Sequence, residues 1–230
     1  MTQSVAFLFD LDGTLVDSER QCAEAVARTL AKMGRQITPE ERRFVVGHGW
    51  NEIHALLERT EALGLTRDEL ILRAGGEREK IVEEQGLVVL PGGVELLRAA
   101  HEAGLEVAIV SGSSRHEIAD AIRLLGIEGQ VPFFVGAEDV TRGKPAPDGY
   151  LLAANELGVA PEDCIVLEDS TAGIAAGIAA GMVVVATSAA NFAQQVQDAA
   201  HHVVGSLAEV ELSHLSALHG KIHAGRRAGS

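Results

Sequence analysis

Val5-Ala6-Phe7-Leu8-Phe9 is an unbroken apolar run that stops on Asp10-Leu11-Asp12-Gly13. A short apolar run without alternation, closed by a turn signal, reads as a strand buried in a parallel sheet. Both carboxylates then stand at its carboxyl end, where open α/β sheets bind ligands. Two like charges this close repel each other. They coexist if a cation sits between them or if one keeps its proton, and either arrangement suits the movement of a phosphoryl group. The same residues also read as an Asx turn in which Asp12-Gly13 merely ends the strand.

The rest of the chain alternates helix and strand once the first strand is past. Residues 18–85 read as helical throughout, with breaks at Gly34, Thr38-Pro39, Gly47-His48-Gly49 and Gly64-Leu65-Thr66. Asp17 or Ser18 can cap the first of these helices. Thr38-Pro39-Glu40-Glu41 opens the second, with proline at the first helical position and acids in the first turn. Gly75-Gly76 falls inside a helical stretch and costs about 1 kcal/mol per glycine relative to alanine. From Leu87 onward strands are expected at 106–111, 133–135, 164–167, 182–186 and 202–204, separated by helices such as 93–104 and 114–125. Strands alternating with helices imply a parallel sheet covered on both faces, so the fold class is α/β. The helical block is then an insertion after the first strand.

Bulk properties exclude several partners. The 230 residues suffice for one sizeable core and a smaller inserted domain, and 47% hydrophobic content with mean hydropathy +0.14 describes a globular chain. A formal net charge of −14 argues against nucleic acid or an anionic membrane as partner. Cys22 and Cys164 are too few for a disulfide scaffold, which points to the cytoplasm. Met1-Thr2-Gln3-Ser4 lacks the basic segment of a secretory signal, and none is expected. Residues 170–197 carry no charge, and Gly173, Gly177 and Gly181 repeat the spacing of membrane helix pairs. Gly181 and the β-branched Val183-Val184-Val185 divide this run into a short helix and a buried strand, and Asn191, Gln194, Gln195 and Gln197 dilute it further.

Three more clusters fall at strand ends. Ser111-Gly112-Ser113-Ser114 offers hydroxyls and free N–H groups at a helix start, an anion site or simply an N-cap. Arg142-Gly143-Lys144-Pro145-Ala146-Pro147 holds a lysine between glycine and proline, a rigid presentation or a plain solvated lysine. Glu168-Asp169 ends the run Ile165-Val166-Leu167 with two acids, which could also cap the next helix.

Asp-x-Asp-Gly-Thr, Ser-Gly, Gly-Lys-Pro and Glu-Asp, in this order from Val5 to about Val185, resemble the haloacid dehalogenase-like hydrolase superfamily. The resemblance implies a doubly wound parallel core from residues 1–17 and 88–230, with an all-helical cap inserted at 18–87. It makes Asp10 a nucleophile that becomes an aspartyl phosphate and Asp12 the acid and base that serves the leaving alcohol and then water. It implies Mg²⁺ held by Asp10, the backbone carbonyl of Asp12 and Asp169, with Glu168 in reach directly or through water. Ser111 and the Gly112 N–H would hold phosphoryl oxygens, with Ser113 beside them, and Lys144 would offset the charge around Asp10.

Dehalogenases of this superfamily lack a carboxylate where Asp12 stands, and phosphonate-cleaving members differ in the opening motif and use a cap lysine. The resemblance therefore implies a phosphatase acting on a small sugar or polyol phosphate, monomeric or weakly dimeric. The β-phosphoglucomutase group is the alternative, and it differs by a histidine where this chain has Cys22 and a cap arginine where it has Trp50. A binding module that keeps the fold without turnover is a third reading, against which every catalytic position is filled by a competent residue. Trp50 is expected to stack on a sugar ring or to pack, and Arg115 to meet a remote substrate anion or solvent. His48, Asn51 and His54 accompany Trp50, and residues 214–230 are expected to form a frayed end.

Overall fold

The protein is described by a computed structural model that covers residues 5–191 and 195–228, with side chains described through residue 222. The chain divides into two compact units, one of residues 17–88 and the other of the flanking residues to 16, 89–191 and from 195.

The larger unit is built on six parallel strands: β1 (Ala6–Phe9), β2 (Glu106–Val110), β3 (Phe133–Val135), β4 (Cys164–Glu168), β5 (Val183–Thr187) and β6 (His202–Val204). Their order in the sheet is β3-β2-β1-β4-β5-β6. The chain winds outward from β1 to β3, returns to the other side of β1 at β4, and winds outward again. That reversal makes the carboxyl ends of β1 and β4 the crevice where open α/β sheets take ligands. Helices α5 (Gly93–Glu102), α6 (Arg115–Leu125), α7 (Asp148–Leu157), α8 (Thr171–Ala179) and α9 (Leu212–Ala228) complete this unit. β1 is buried at every position, as an unbroken apolar run requires. Ala6 and Leu8 join Val166, Val184 and Ile174 in one core cluster, while the rings of Phe7 and Phe9 stack with centroids 6.5 Å apart.

The uncharged stretch after Ser170 resolves into α8 and β5, and no described helix is long and apolar enough to cross a membrane. Of the polar residues that dilute this stretch, Gln194 lies outside the described residues. A methyl group on Gly177 would stand 2.7 Å from Val184 Cγ2, so the missing side chain is what lets α8 lie close against β5.

The smaller unit is all helical: α1 (Ser18–Lys32), α2 (Pro39–Val45), α3 (Trp50–Thr60) and α4 (Arg67–Gln85). Its breaks fall at the turn residues expected from the sequence. Asp17 caps α1 by accepting from the Arg20 N–H (3.3 Å), and Thr38 with Glu41 and Thr66 with Glu69 form reciprocal capping boxes. Val26, Leu30, Ile53, Leu57, Leu70 and Ile81 make its core. Two buried acids are locked in ion pairs: Glu41 with Arg35, and Glu77 with Lys32 (2.6 Å) and Lys80 (2.8 Å). The hydrogen bonds from Lys32 and Lys80 hold the Glu77 carboxyl down at about 2.

Helix α4 runs straight through Gly75 and Gly76. A Cβ built at either position meets open space. Neither packing nor backbone conformation therefore requires glycine here, and Gly75→Ala with Gly76→Ala is expected to stabilise the protein by about 2 kcal/mol. Thermal unfolding should report a Tm higher by roughly 4–8 °C.

The chain's end departs from expectation. Instead of fraying, residues 212–228 form α9, which buries Leu215 and brings the His219 ring nitrogen 2.9 Å from the Glu162 carbonyl oxygen.

Candidate active site

Register decides which acids meet. Phe9 lies opposite Ile109 of β2 and Leu167 of β4, so Asp10 and Glu168 end adjacent strands at the same level. The Asp10 amide donates to the Leu167 carbonyl (2.9 Å), which fixes the start of the loop to the ladder. Gly13 then turns the chain with φ +87° and donates to the Val16 carbonyl (2.7 Å). A side chain there would place its Cβ 2.2 Å from Asp169 Oδ2, so the turn glycine also makes room for the acid that follows β4.

The loop before α7 carries Lys144 into this crevice, and Arg142 braces that loop through two hydrogen bonds to Asp148 (2.8 and 3.0 Å). Lys144 Nζ donates to Asp10 Oδ1 (2.5 Å) and to Glu168 Oε1 (2.6 Å). Glu168, fully buried, is held by further donors: Tyr150 Oη on Oε1 (3.1 Å), and on Oε2 the N–H groups of Asp169 (2.9 Å) and Ser170 (2.8 Å) and the Ser170 hydroxyl (3.0 Å). Ser170 also caps α8.

On the other side, the Ser113 hydroxyl donates to Asp12 Oδ2 at 2.6 Å and the Ser111 hydroxyl to the same oxygen at 3.2 Å. The Ser113 N–H donates to Ser111 Oγ (3.0 Å), and Ser114 caps α6. One serine cluster thus serves both a helix start and the Asp12 carboxylate. A cavity of about 220 Å³ opens beside Ser111, Gly112 and Lys144 and is otherwise lined mainly by apolar groups, with the Tyr150 ring at its wall.

Electrostatics make this crevice costly as it stands. Burial, and then the fields of Glu168 and Asp12, push Asp10 up to about 8 against the pull of Lys144. Burial disfavours the Lys144 ammonium, but Asp10 and Glu168 outweigh it and raise its pKa well above the usual lysine value. For Glu168 burial works upward, while Lys144 and the Ser170 hydrogen bonds bring it below the ordinary carboxylate range.

One oxygen from each of Asp10, Glu168 and Asp169 lies within 4.8 Å of the others, and all three residues are buried. A hard cation among these three crowded carboxyl groups would offset the repulsion between them, which contributes to pushing Asp10 up. The donors are all oxygen, the set that Mg²⁺ or Ca²⁺ prefers. The residues fit such an ion, with Glu168 already engaged on both oxygens by Lys144, Tyr150, the Asp169 N–H and Ser170.

A sequence profile described as haloacid dehalogenase-like hydrolase matches residues 5–181, which takes in every group just described. The chain belongs to the haloacid dehalogenase-like hydrolase family. Among relatives, it is 37% identical over 199 residues to hexitol phosphatase A of Escherichia coli, covering 80% of this chain and 82% of that protein. It is 31% identical over 209 residues to validoxylamine A 7'-phosphate phosphatase of Streptomyces hygroscopicus, covering 90% and 96%. Among solved structures, a putative β-phosphoglucomutase from Thermotoga maritima superposes with a TM-score of 0.76 at 26% identity, covering 89% of this chain and 95% of that one.

The remaining positions of interest are engaged elsewhere. Arg115 pairs with Asp139 (2.5 Å) and lies over the Phe134 ring, 4.6 Å from its centroid. In the helical unit Trp50 and Cys22 pack, half-buried, against the apolar core. The His48 ring stacks on Phe44, Asn51 accepts from Arg67 (2.8 Å), and a His54 ring nitrogen lies 2.7 Å from the Leu65 carbonyl oxygen. The strand-end motifs do not mark Tyr150. Its signal was present: as the chain's one tyrosine, on the apolar face of the helix after Lys144, it needed a partner for its hydroxyl once buried.

Proposed function

We propose that this hydrolase is a Mg²⁺-dependent phosphatase of small phosphorylated metabolites, with a sugar or polyol phosphate as substrate and Asp10 as nucleophile. The observation that carries the reading is the position of Asp10, at the end of the central strand with Lys144 on one oxygen and Glu168 and Asp169 beside it. The named phosphatases among its relatives support the same class.

In the first step an Asp10 carboxylate oxygen bonds to phosphorus as the bond from phosphorus to the ester oxygen breaks. Asp12 gives its proton to the departing alkoxide. In the second step Asp12 takes a proton from water, the water oxygen bonds to phosphorus, and the Asp10–phosphorus bond breaks to release phosphate. Ser111 and the Gly112 N–H hold phosphoryl oxygens, with Ser113 beside them, and Lys144 balances charge that spreads over those oxygens in the transition state. Asp10, Asp169 and the Asp12 backbone carbonyl would hold Mg²⁺, with Glu168 in reach. The ion supplies positive charge to a crowd of oxygens that Lys144 alone does not neutralise. Residues 18–87 serve as the helical cap that selects the substrate, and Trp50 in it and Arg115 of the larger unit are candidate substrate contacts. The enzyme works in the cytoplasm as a monomer or weak homodimer.

Phosphate release from a panel of sugar and polyol phosphates, ranked by kcat/KM with and without chelator, tests the proposal. Release should require added Mg²⁺ and favour one such ester; turnover unchanged after removal of divalent ions rejects the metal role. Incubation with β-glucose 1-phosphate and a bisphosphate primer separates the mutase alternative. Glucose 6-phosphate forming without free phosphate would establish that alternative instead.

A further inference from the structure

Lys144 is shared almost equally between two acids, at 2.5 Å from Asp10 and 2.6 Å from Glu168. Glu168, fully buried and carrying its charge in a poorly solvated place, competes with Asp10 for this ammonium. The Asp169 and Ser170 donors engage its other oxygen, while Tyr150 acts on the oxygen that Lys144 shares. Its hydroxyl donates to Oε1 of Glu168, the oxygen that also receives Lys144, and its ring lies beneath the ammonium, 5.2 Å from Nζ to centroid. Helix α7 holds the ring in place, since Tyr150 is 1% exposed and packed among Val110, Val135 and Ala153 in the core cluster. A methyl group at Gly173 would stand 1.6 Å from the same Oε1, so glycine at this position makes room for the carboxylate.

We infer that Tyr150 is a positioning residue for the phosphoryl-transfer reaction: its hydroxyl takes up part of the charge on Glu168 and so leaves Lys144 turned toward Asp10. The inference rests on the reading of Asp10 as nucleophile and Lys144 as its charge partner. Without the hydroxyl, Glu168 draws the ammonium to itself, and charge developing at Asp10 and on the phosphoryl oxygens is less well balanced.

Tyr150→Phe keeps the ring and removes only the donor, so the fold is retained and thermal melting verifies it. The expected result is a roughly tenfold loss in kcat with KM within about twofold, the scale of one hydrogen bond to a charged group. A double-mutant cycle with Glu168→Gln shows whether the effect travels through Glu168. In that background, where no charge remains to be shared, Tyr150→Phe should cost less than about twofold, because coupled residues are not additive. Single-turnover phosphorylation of the enzyme measures all four corners even where steady-state turnover is slow. An unchanged kcat in Tyr150→Phe overturns the inference, and so does an equal loss in both backgrounds. Asp10→Asn is run alongside: activity surviving there rejects the nucleophile itself, an outcome separate from any result at Tyr150.

Discussion

Asp10→Asn is expected to lower phosphate release from p-nitrophenyl phosphate by roughly 10⁴-fold or more, the range found when a covalent nucleophile is removed. The amide is nearly isosteric and can still accept from Lys144 through its oxygen, so the crevice keeps its shape. What disappears is the oxygen able to form a bond to phosphorus. The Ser111 hydroxyl and the Lys144 ammonium remain in place, and under the proposed mechanism they would account for any residual rate. Steady-state kinetics, with acid-quenched phosphoenzyme measured in parallel, give the readout: wild type should trap labelled phosphate on protein and the variant should trap none. Equal turnover in the two proteins would remove Asp10 from the reaction.

Gly173→Ala is expected to damage both folding and chemistry. The new methyl would fall 1.6 Å from Glu168 Oε1 and 2.0 Å from its Cδ, distances no pair of atoms tolerates. Helix α8 cannot retreat easily, because Gly177 seats it against Val184. The carboxylate must move, and when it does it loses Lys144, Tyr150 and its contacts to Ser170 together. Disrupting a buried charge pair in this way costs about 3–5 kcal/mol. At roughly 2–4 °C per kcal/mol for a protein of this size, Tm should fall by about 10 °C. Lys144 would be misplaced by an ångström or more, which is worth roughly 10²-fold in kcat. The identical change at Gly75 has the opposite sign, since there the added methyl meets nothing. Helix propensity is the same in both cases; the neighbour decides.

Much of this architecture is readable from residue order. Turn residues mark the ends of α1 to α4 because Thr38 and Thr66 bond the free N–H groups of their own helices, a local interaction. Strand β1 announces itself because burial on both faces demands apolar residues at every position. Lys144 stands out through its glycine and proline neighbours. What escapes local reading is pairing across the sheet. Nothing in the first seventeen residues says that Phe9 will lie opposite Leu167, yet that register is what brings Asp10 to Glu168. Tyr150 escapes for the same reason, since its partner lies eighteen positions away on another element. Ser113 is readable as a hydroxyl near an anion site, but its hydrogen bond to Asp12 spans 101 positions and depends on β2 lying beside β1. The helix α9 was hidden because His214, His219 and the small residues around them carry a weak apolar pattern, and its anchoring through Leu215 and Glu162 is tertiary.

The amide of Asp10 is bonded into the middle of a six-stranded sheet, with two strands beyond β1 on one flank and three on the other. An enzyme whose reactive groups hang from a margin can go silent while most of its architecture survives. Here the proposed nucleophile is rooted at the centre of the sheet, the kind of core region that opens only with global unfolding. Warming this protein is therefore expected to leave Asp10 in place until the sheet itself melts.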